Sequence, residues 1–262
     1  MTATDPVGSA ARSTPTVRTR TVYRDLIRTC ASRDAHYRPI MRSPLQQPRG
    51  HADDAFLSAK RARLTEPHMQ PLVEFARQVR EETGGEVPDF DPDSGGAHAR
   101  ALFLYEAPGA RSTNTNGPRK QATGSGLISP DNNDQTAENS WRLYQDANLP
   151  RCQTLVWNIV PWYIGTTSKI RSPNSDDLSQ AQPYLDRLVR LLTRLEVVVV
   201  FGDRARDGWL RYLLRPDAPL LPTLACPHPS PKVLNTRPQQ RDLILAALQR
   251  VTVLLADRPE PP

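Results

Sequence analysis

The sequence has few cysteines, few glycines and no long apolar run. Its three cysteines, Cys30, Cys152 and Cys226, stand far apart with no C-x-x-C pair. That spacing excludes a disulfide framework and argues against a structural zinc or iron–sulfur site. His36, His51, His68 and His98 show no metal-ligand spacing either and are expected at the surface. No stretch approaches the roughly 18 uninterrupted apolar residues of a membrane-crossing helix. The first residues, MTATDPVGSAARSTPT, lack the apolar centre of a secretory signal. A soluble cytoplasmic protein without membrane association is therefore expected. Neither G-x-S-x-G nor a Walker loop follows any apolar run, which disfavours an α/β-hydrolase or a P-loop enzyme. There are 13 glycines against 26 prolines, so long non-helical connections are expected.

What is present suits one α/β domain with an appendage. The chain has 262 residues, 38% apolar and 24% charged, enough to build a core. The net charge of +6 is uneven: residues 1–65 hold 12 Lys/Arg against 5 Asp/Glu, and the remainder 22 against 23. A basic, mostly disordered arm is expected over residues 1–52, ahead of a folded domain over 53–262. Such an arm can touch nucleic-acid phosphates or remain a solvated tail. A helical lead-in to about residue 86 follows. In it Leu72, Val73, Phe75, Ala76 and Val79 approximate one face, and a Gly-Gly pair closes the helix.

Past Ala99 the pattern changes. Four short apolar runs, ALFLY (101–105), TLVWNIV (154–160), VVVVF (197–201) and TLAC (223–226), are bounded by turn residues. The runs from 154 and 197 are too continuous to leave a wet face, which predicts buried parallel strands. Helical patterns separate them. One opens at Thr136 as the expected N-cap, and another follows Asp203, read the same way. Strands alternating with helices predict an αβα sandwich around a four-stranded parallel sheet.

Ligands of open α/β sheets bind beyond the carboxyl ends of the strands. There stand Glu106-Ala107-Pro108-Gly109, Asn158 with Pro161-Trp162-Tyr163 after it, Gly202-Asp203, and Pro227-His228-Pro229-Ser230-Pro231. Asn158 within an apolar strand is an awkward buried amide unless a ligand meets it. His228 in a proline loop reads as a site residue. Glu106 divides evenly between a site carboxylate and a turn cap. Trp162 and Tyr163 read as packing, and Arg204, Arg206, Arg211 and Arg215 as a solvated helix face.

Three of these elements, in this order, resemble the uracil-DNA glycosylase superfamily: the EAPG turn at 106–109, the Asn158 segment leading to VPW, and the HPSP loop at 228–231. The resemblance covers roughly Val87 to the C-terminus. It implies an enzyme of base-excision repair that flips uracil, or a related deaminated base, out of DNA and hydrolyses its N-glycosidic bond. It implies that Asn158 reads the O4 and N3–H edge of uracil. His228 would donate to O2 as charge grows there. Ala107 and Pro108 would lie against the base, and Gly109 would leave room for it. Ser230 would bind a DNA phosphate, and Lys232 and Val233 occupy the stretch that enters the minor groove. No metal or organic cofactor is implied. The partner is DNA containing uracil or a deaminated base, and the protein is expected to be a cytoplasmic monomer, nucleoid-associated in a bacterium.

This chain also departs from the resemblance. The best-known branch activates water with an Asp where Ala107 stands. EAPG is the form of the iron–sulfur branch, whose four cysteines are missing, so a cluster-free relative is implied. The carboxylate would come from Glu106, Asp131 or Asp134. The aromatic that stacks on a flipped base is replaced by Leu127 or Ile128. These departures motivate an alternative: a superfamily member that binds DNA or a flipped base with little or no turnover.

Overall fold

Apolar runs that must be buried on both sides set the architecture. The structure, a computed structural model, describes residues 47–113, 124–165 and 171–256. They belong to a compact unit spanning Met41–Pro262. In chain order the helices and strands are α1 (Asp54–Ala62), α2 (Gln70–Thr83), β1 (Asp89–Phe90), β2 (Ala101–Tyr105), β3 (Leu127–Ile128), α3 (Gln135–Asp146), β4 (Thr154–Asn158), α4 (Ser175–Leu191), β5 (Val197–Phe201), α5 (Asp203–Leu213), β6 (Thr223–Cys226), α6 (Pro231–Thr236) and α7 (Gln240–Ala256). A four-stranded sheet runs β4-β2-β5-β6, all parallel. The fold class is the α/β sandwich that the alternation predicts.

Successive residues of a strand point to opposite faces. Leu102 and Leu104 of β2 therefore pack under α2, α4 and α5, against Leu72, Leu185 and Trp209. Ala101, Phe103 and Tyr105 pack under α3 and α7, against Tyr144, Ile244 and Leu248. With both faces covered, every residue of β2 and β5 is buried. The chain leaves β2 through α3 to reach β4 on one side. It leaves β5 through α5, on the opposite face, to reach β6 on the other side. Adjacent strands whose connections part in this way form a topological switch point, where such sheets open a crevice.

Several local expectations are corrected. The second predicted strand stops at Asn158 rather than Val160, although the N–H groups of Ile159 and Val160 still bond the carbonyls of Tyr105 and Glu106 at 2.7 and 3.0 Å. The segment PDFDPDSGG supplies β1, which pairs in parallel with β3, and Phe90 stacks on Trp157 with centroids 4.1 Å apart. Asp134, not Thr136, caps α3, accepting from the Ala137 amide at 2.9 Å. Gly202 stands at the N-cap of α5, and Asp203 pairs with Arg206 at 2.9 Å instead of capping. His51 and His68 are buried rather than at the surface; His98 is exposed, and His36 lies outside the described residues.

The expected arm lies outside the described residues as far as residue 46. Its last part is packed: Arg49 pairs with Glu138 at 2.7 Å, and His51 Nδ1 meets Asn132 Oδ1 at 2.8 Å. The lead-in is fastened more deeply by Lys60, whose ammonium lies 2.8, 3.0 and 2.6 Å from Asp91, Asp93 and Asp131. Lys60 is 3% exposed, and the three carboxylates raise its pKa despite burial. No helix among the described residues is long and apolar enough to cross a membrane.

Candidate active site

Beyond Phe201 the chain must turn at once into α5. Gly202 does this at φ 89° and ψ 170°, a region essentially closed to residues that carry a Cβ. The bare Cα also lets two side chains approach. A Cβ placed there would stand 2.9 Å from Glu106 Oε1 and 3.2 Å from His228 Cβ. Glu106, from the end of β2, and His228, from beyond β6, thus meet over the turn after β5, at the switch point. Glu106 takes the backbone N–H of Arg204 in the first turn of α5. It does the capping that a glycine N-cap cannot. Burial nevertheless raises the Glu106 carboxyl above its ordinary pKa, and the Arg204 N–H offsets only part of that. A carboxyl tuned upward at such a crevice is suited to proton transfer.

The His228 ring stands edge-on to Tyr105, with centroids 5.5 Å apart and planes at 90°. It makes no hydrogen bond among the described residues. Burial lowers its pKa to about 4, so at pH 7 the imidazole is neutral and has one N–H to give. Asn139 Nδ2 of α3 donates to the Pro229 carbonyl beside it at 2.8 Å.

Tyr105 is the register partner of Asn158, so the two side chains rise from the same face of neighbouring strands. The Tyr105 hydroxyl is occupied by Ser140 Oγ at 3.1 Å and Tyr144 at 3.3 Å, and its ring stacks on Phe201. Burial pushes the phenol up to about 12. Tyr105 is therefore a rigid wall rather than an acid. Asn158 is 5% exposed, and its Oδ1 is buried without a hydrogen-bond partner. Leaving such an oxygen unmatched costs about 1–3 kcal/mol. The oxygen is free to accept from a donor that enters the crevice.

The remaining candidates divide. Ala107 is half-buried against the core and Pro108 is buried. Gly109 is exposed, and a Cβ there would meet nothing within 4 Å. Ser230 stands at the N-cap of α6 with no side-chain cap bond; Lys232 is exposed and Val233 half-buried. Asp131 requires correction as a water-activating carboxylate. It has no exposure, and its oxygens are held by Lys60 at 2.6 Å and by Arg151 at 2.9 and 3.1 Å. These cations keep it well below the ordinary carboxylate range, so it is a poor base, and it is closed to solvent. Asp91, Asp93 and Asp131 lie close enough for a metal, but the Lys60 ammonium already fills that place. Asp134 is committed to the α3 amides of Ala137 and Thr136. Leu127 and Ile128 lie buried in β3, 1% and 6% exposed, rather than forming an open platform. Leu127 borders a cavity of about 450 Å³ with Leu64, Val87 and Thr113, and none of Glu106, Asn158 or His228 lines it.

Trp162 packs edge-on to Tyr184. Arg206, Arg211 and Arg215 find partners within the protein. Three further residues, Gly202, Tyr105 and Asn139, shape the site without any role being legible for them in the sequence. Gly202 was legible only as a glycine after a strand. Tyr105 was legible only as the last residue of the first apolar run. Asn139 carried no signal, because a polar residue on a helix ordinarily faces water.

A family model described as the uracil DNA glycosylase superfamily matches residues 92–251. No curated protein matches the chain. Among solved structures, SMUG2 of Pedobacter heparinus is 13% identical, covering 73% of this chain and 86% of its own, with a TM-score of 0.43. A uracil DNA glycosylase candidate from Methanosarcina acetivorans is 15% identical, covering 59% of this chain and 91% of its own, with a TM-score of 0.33. The family match spans β2 to β6 and every strand end at which Glu106, Asn158, Gly202 and His228 stand, and the chain belongs to the uracil DNA glycosylase superfamily.

Proposed function

We propose that this protein is a DNA glycosylase that hydrolyses the N-glycosidic bond of uracil, or a related deaminated base, flipped out of DNA. The observation that carries the reading is the buried, unpartnered Oδ1 of Asn158 beside the Tyr105 wall. An Asn amide matches the O4 and N3–H edge of uracil with one donor and one acceptor, and cytosine presents the reverse pattern. As the bond from C1′ to the base breaks, its electron pair passes to the base. Neutral His228 donates to O2 where that charge collects. Water bonds to C1′, and Glu106 takes its proton. The loop from Ser230 through Lys232 and Val233 meets the DNA backbone and minor groove. The protein acts as a monomer in the compartment that holds the DNA.

A second reading, base recognition with little turnover, is favoured by the burial of Leu127 and Ile128, which leaves no aromatic face from that segment. The test uses labelled single- and double-stranded oligonucleotides holding one uracil, hypoxanthine or xanthine, with alkaline cleavage of abasic sites. Excision is expected for uracil. His228→Ala should lose about 100- to 1000-fold in single-turnover rate while keeping DNA affinity. Asn158→Ala should also weaken discrimination against cytosine. Binding without excision of any base would establish the second reading, and a His228→Ala rate equal to wild type would refute the assignment.

A further inference from the structure

The HPSP loop is unusually poor in ways to attach itself to the protein. Pro227, Pro229 and Pro231 have no amide N–H, and the His228 ring bonds nothing among the described residues. Between Cys226, whose carbonyl accepts from the Gly202 amide, and Ser230 at the start of α6, one hydrogen bond from elsewhere among the described residues ties this stretch to the body. It is the bond from Asn139 Nδ2 to the Pro229 carbonyl, 2.8 Å long. The carbonyl can only accept, so the Asn139 NH2 must face it. The other end of the same amide is also fixed: Asn139 Oδ1 accepts from Gln135 Nε2 at 3.2 Å, and Gln135 Oε1 accepts from Arg49 at 3.0 Å. A relay of side chains thus runs from Arg49, ahead of α1, along α3 to the residue next to His228. Arg49 lies outside the stretch that the family model matches.

We infer that Asn139 is a positioning residue for His228: its amide fixes the proline loop so that the imidazole stays seated against Tyr105 beside Glu106. This rests on the glycosylase reading given above, in which His228 stabilises the leaving base. The Ser230 carbonyl is held by the Val233 and Leu234 amides of α6, each at 3.0 Å, but among the described residues Asn139 is the one side-chain donor to the His228–Pro229 segment. The hydrogen bonds of the Asn139 amide among the described residues go to Gln135 and Pro229 and not to Glu106 or Asn158, so its link to the site runs through the loop. The titratable groups shown beside His228 are Tyr105, edge-on to the ring, and Glu106, across the Gly202 turn.

The test compares Asn139→Asp, nearly isosteric but presenting an oxygen to the carbonyl, with Asn139→Ala. Both should slow single-turnover uracil excision about 10- to 100-fold, as a small misplacement of a reacting group does, with DNA affinity within about twofold. In a His228→Ala background neither should cost anything further, because residues acting as one unit are not additive. A second readout needs no activity. The His228 imidazole, titrated by NMR in the full-length protein, should move from about 4 toward its ordinary value in both variants as the freed loop hydrates the ring. Additive losses in the double variant, or an unchanged His228 titration in folded Asn139→Asp, would overturn the inference. If wild type excises no base, the functional reading fails separately, and the imidazole titration alone decides the positioning role.

Discussion

Replacing Gly202 with alanine tests the convergence of Glu106 and His228 with a single methyl group. Two costs follow from the geometry. The backbone at φ 89°, ψ 170° is nearly reserved for glycine, and holding another residue there costs about 1–3 kcal/mol. The new Cβ would also stand 2.9 Å from Glu106 Oε1. The carboxylate can swing away, but only by giving up the Arg204 N–H, worth about 1 kcal/mol. His228 Cβ, at 3.2 Å, cannot swing, so the loop itself must move. Gly202→Ala should therefore lose about 2–4 kcal/mol of stability by urea denaturation. It should also lose at least about tenfold in single-turnover excision. Gly84→Ala is the matched control. Gly84 caps α2 at φ 64° and ψ 6°, and a Cβ there would meet nothing within 4 Å. That variant should lose about 1 kcal/mol and no activity. If Gly202→Ala is destabilised yet excises at the wild-type rate, the meeting of Glu106 and His228 over this turn has no part in catalysis.

Lys60→Met should cost about 3–5 kcal/mol at pH 7, because it leaves Asp91, Asp93 and Asp131 short of their buried cation; a loss below about 1 kcal/mol in urea denaturation would show the cluster to be dispensable. Acid should weaken the fold through His228. Its folded pKa, about 4, lies below the ordinary 6.5, so between those values the unfolded chain binds a proton that the folded chain does not. Stability then falls as the pH drops, by about 2 kcal/mol from pH 7 to pH 5 for this one group. Burial lowers His51 and His68 as well, in the same direction, whereas Glu106 and Asp134, raised by burial, act in the opposite sense. The measurement is therefore the difference between wild type and His228→Asn in urea midpoints at pH 7 and pH 5, and equal slopes would refute the placement of the ring.

Much of the fold is local and was legible from the chain alone. Continuous apolar runs such as TLVWNIV and VVVVF, bounded by turn residues, read as strands buried on both faces, and the amphipathic stretches between them as the helices that cover those faces. The same reading put Glu106, Asn158 and His228 at or near strand ends, because turn residues bound each apolar run, although the second strand stops two residues before the end of its run. What those ends meet is not local. The order β4-β2-β5-β6 places Asn158 and the His228 loop on opposite outer strands, and only the loop's return over Tyr105 sets the imidazole beside the register partner of Asn158. Asp131 reads as a free carboxylate in SPDNNDQ. It becomes a buried anion through Lys60, 71 residues away, and Arg151, 20 residues on. Asp134 likewise reads as a base candidate until the helix that starts beside it claims its oxygens. Gly202 looks like any turn glycine until Glu106 and His228 arrive from other strands to use the space it leaves. Hydrophobic period and turn chemistry act between residues a few positions apart, so a sequence displays them. A charge's partner, a ring's neighbour and an amide's acceptor come from distant segments, and only the packed sheet brings those together.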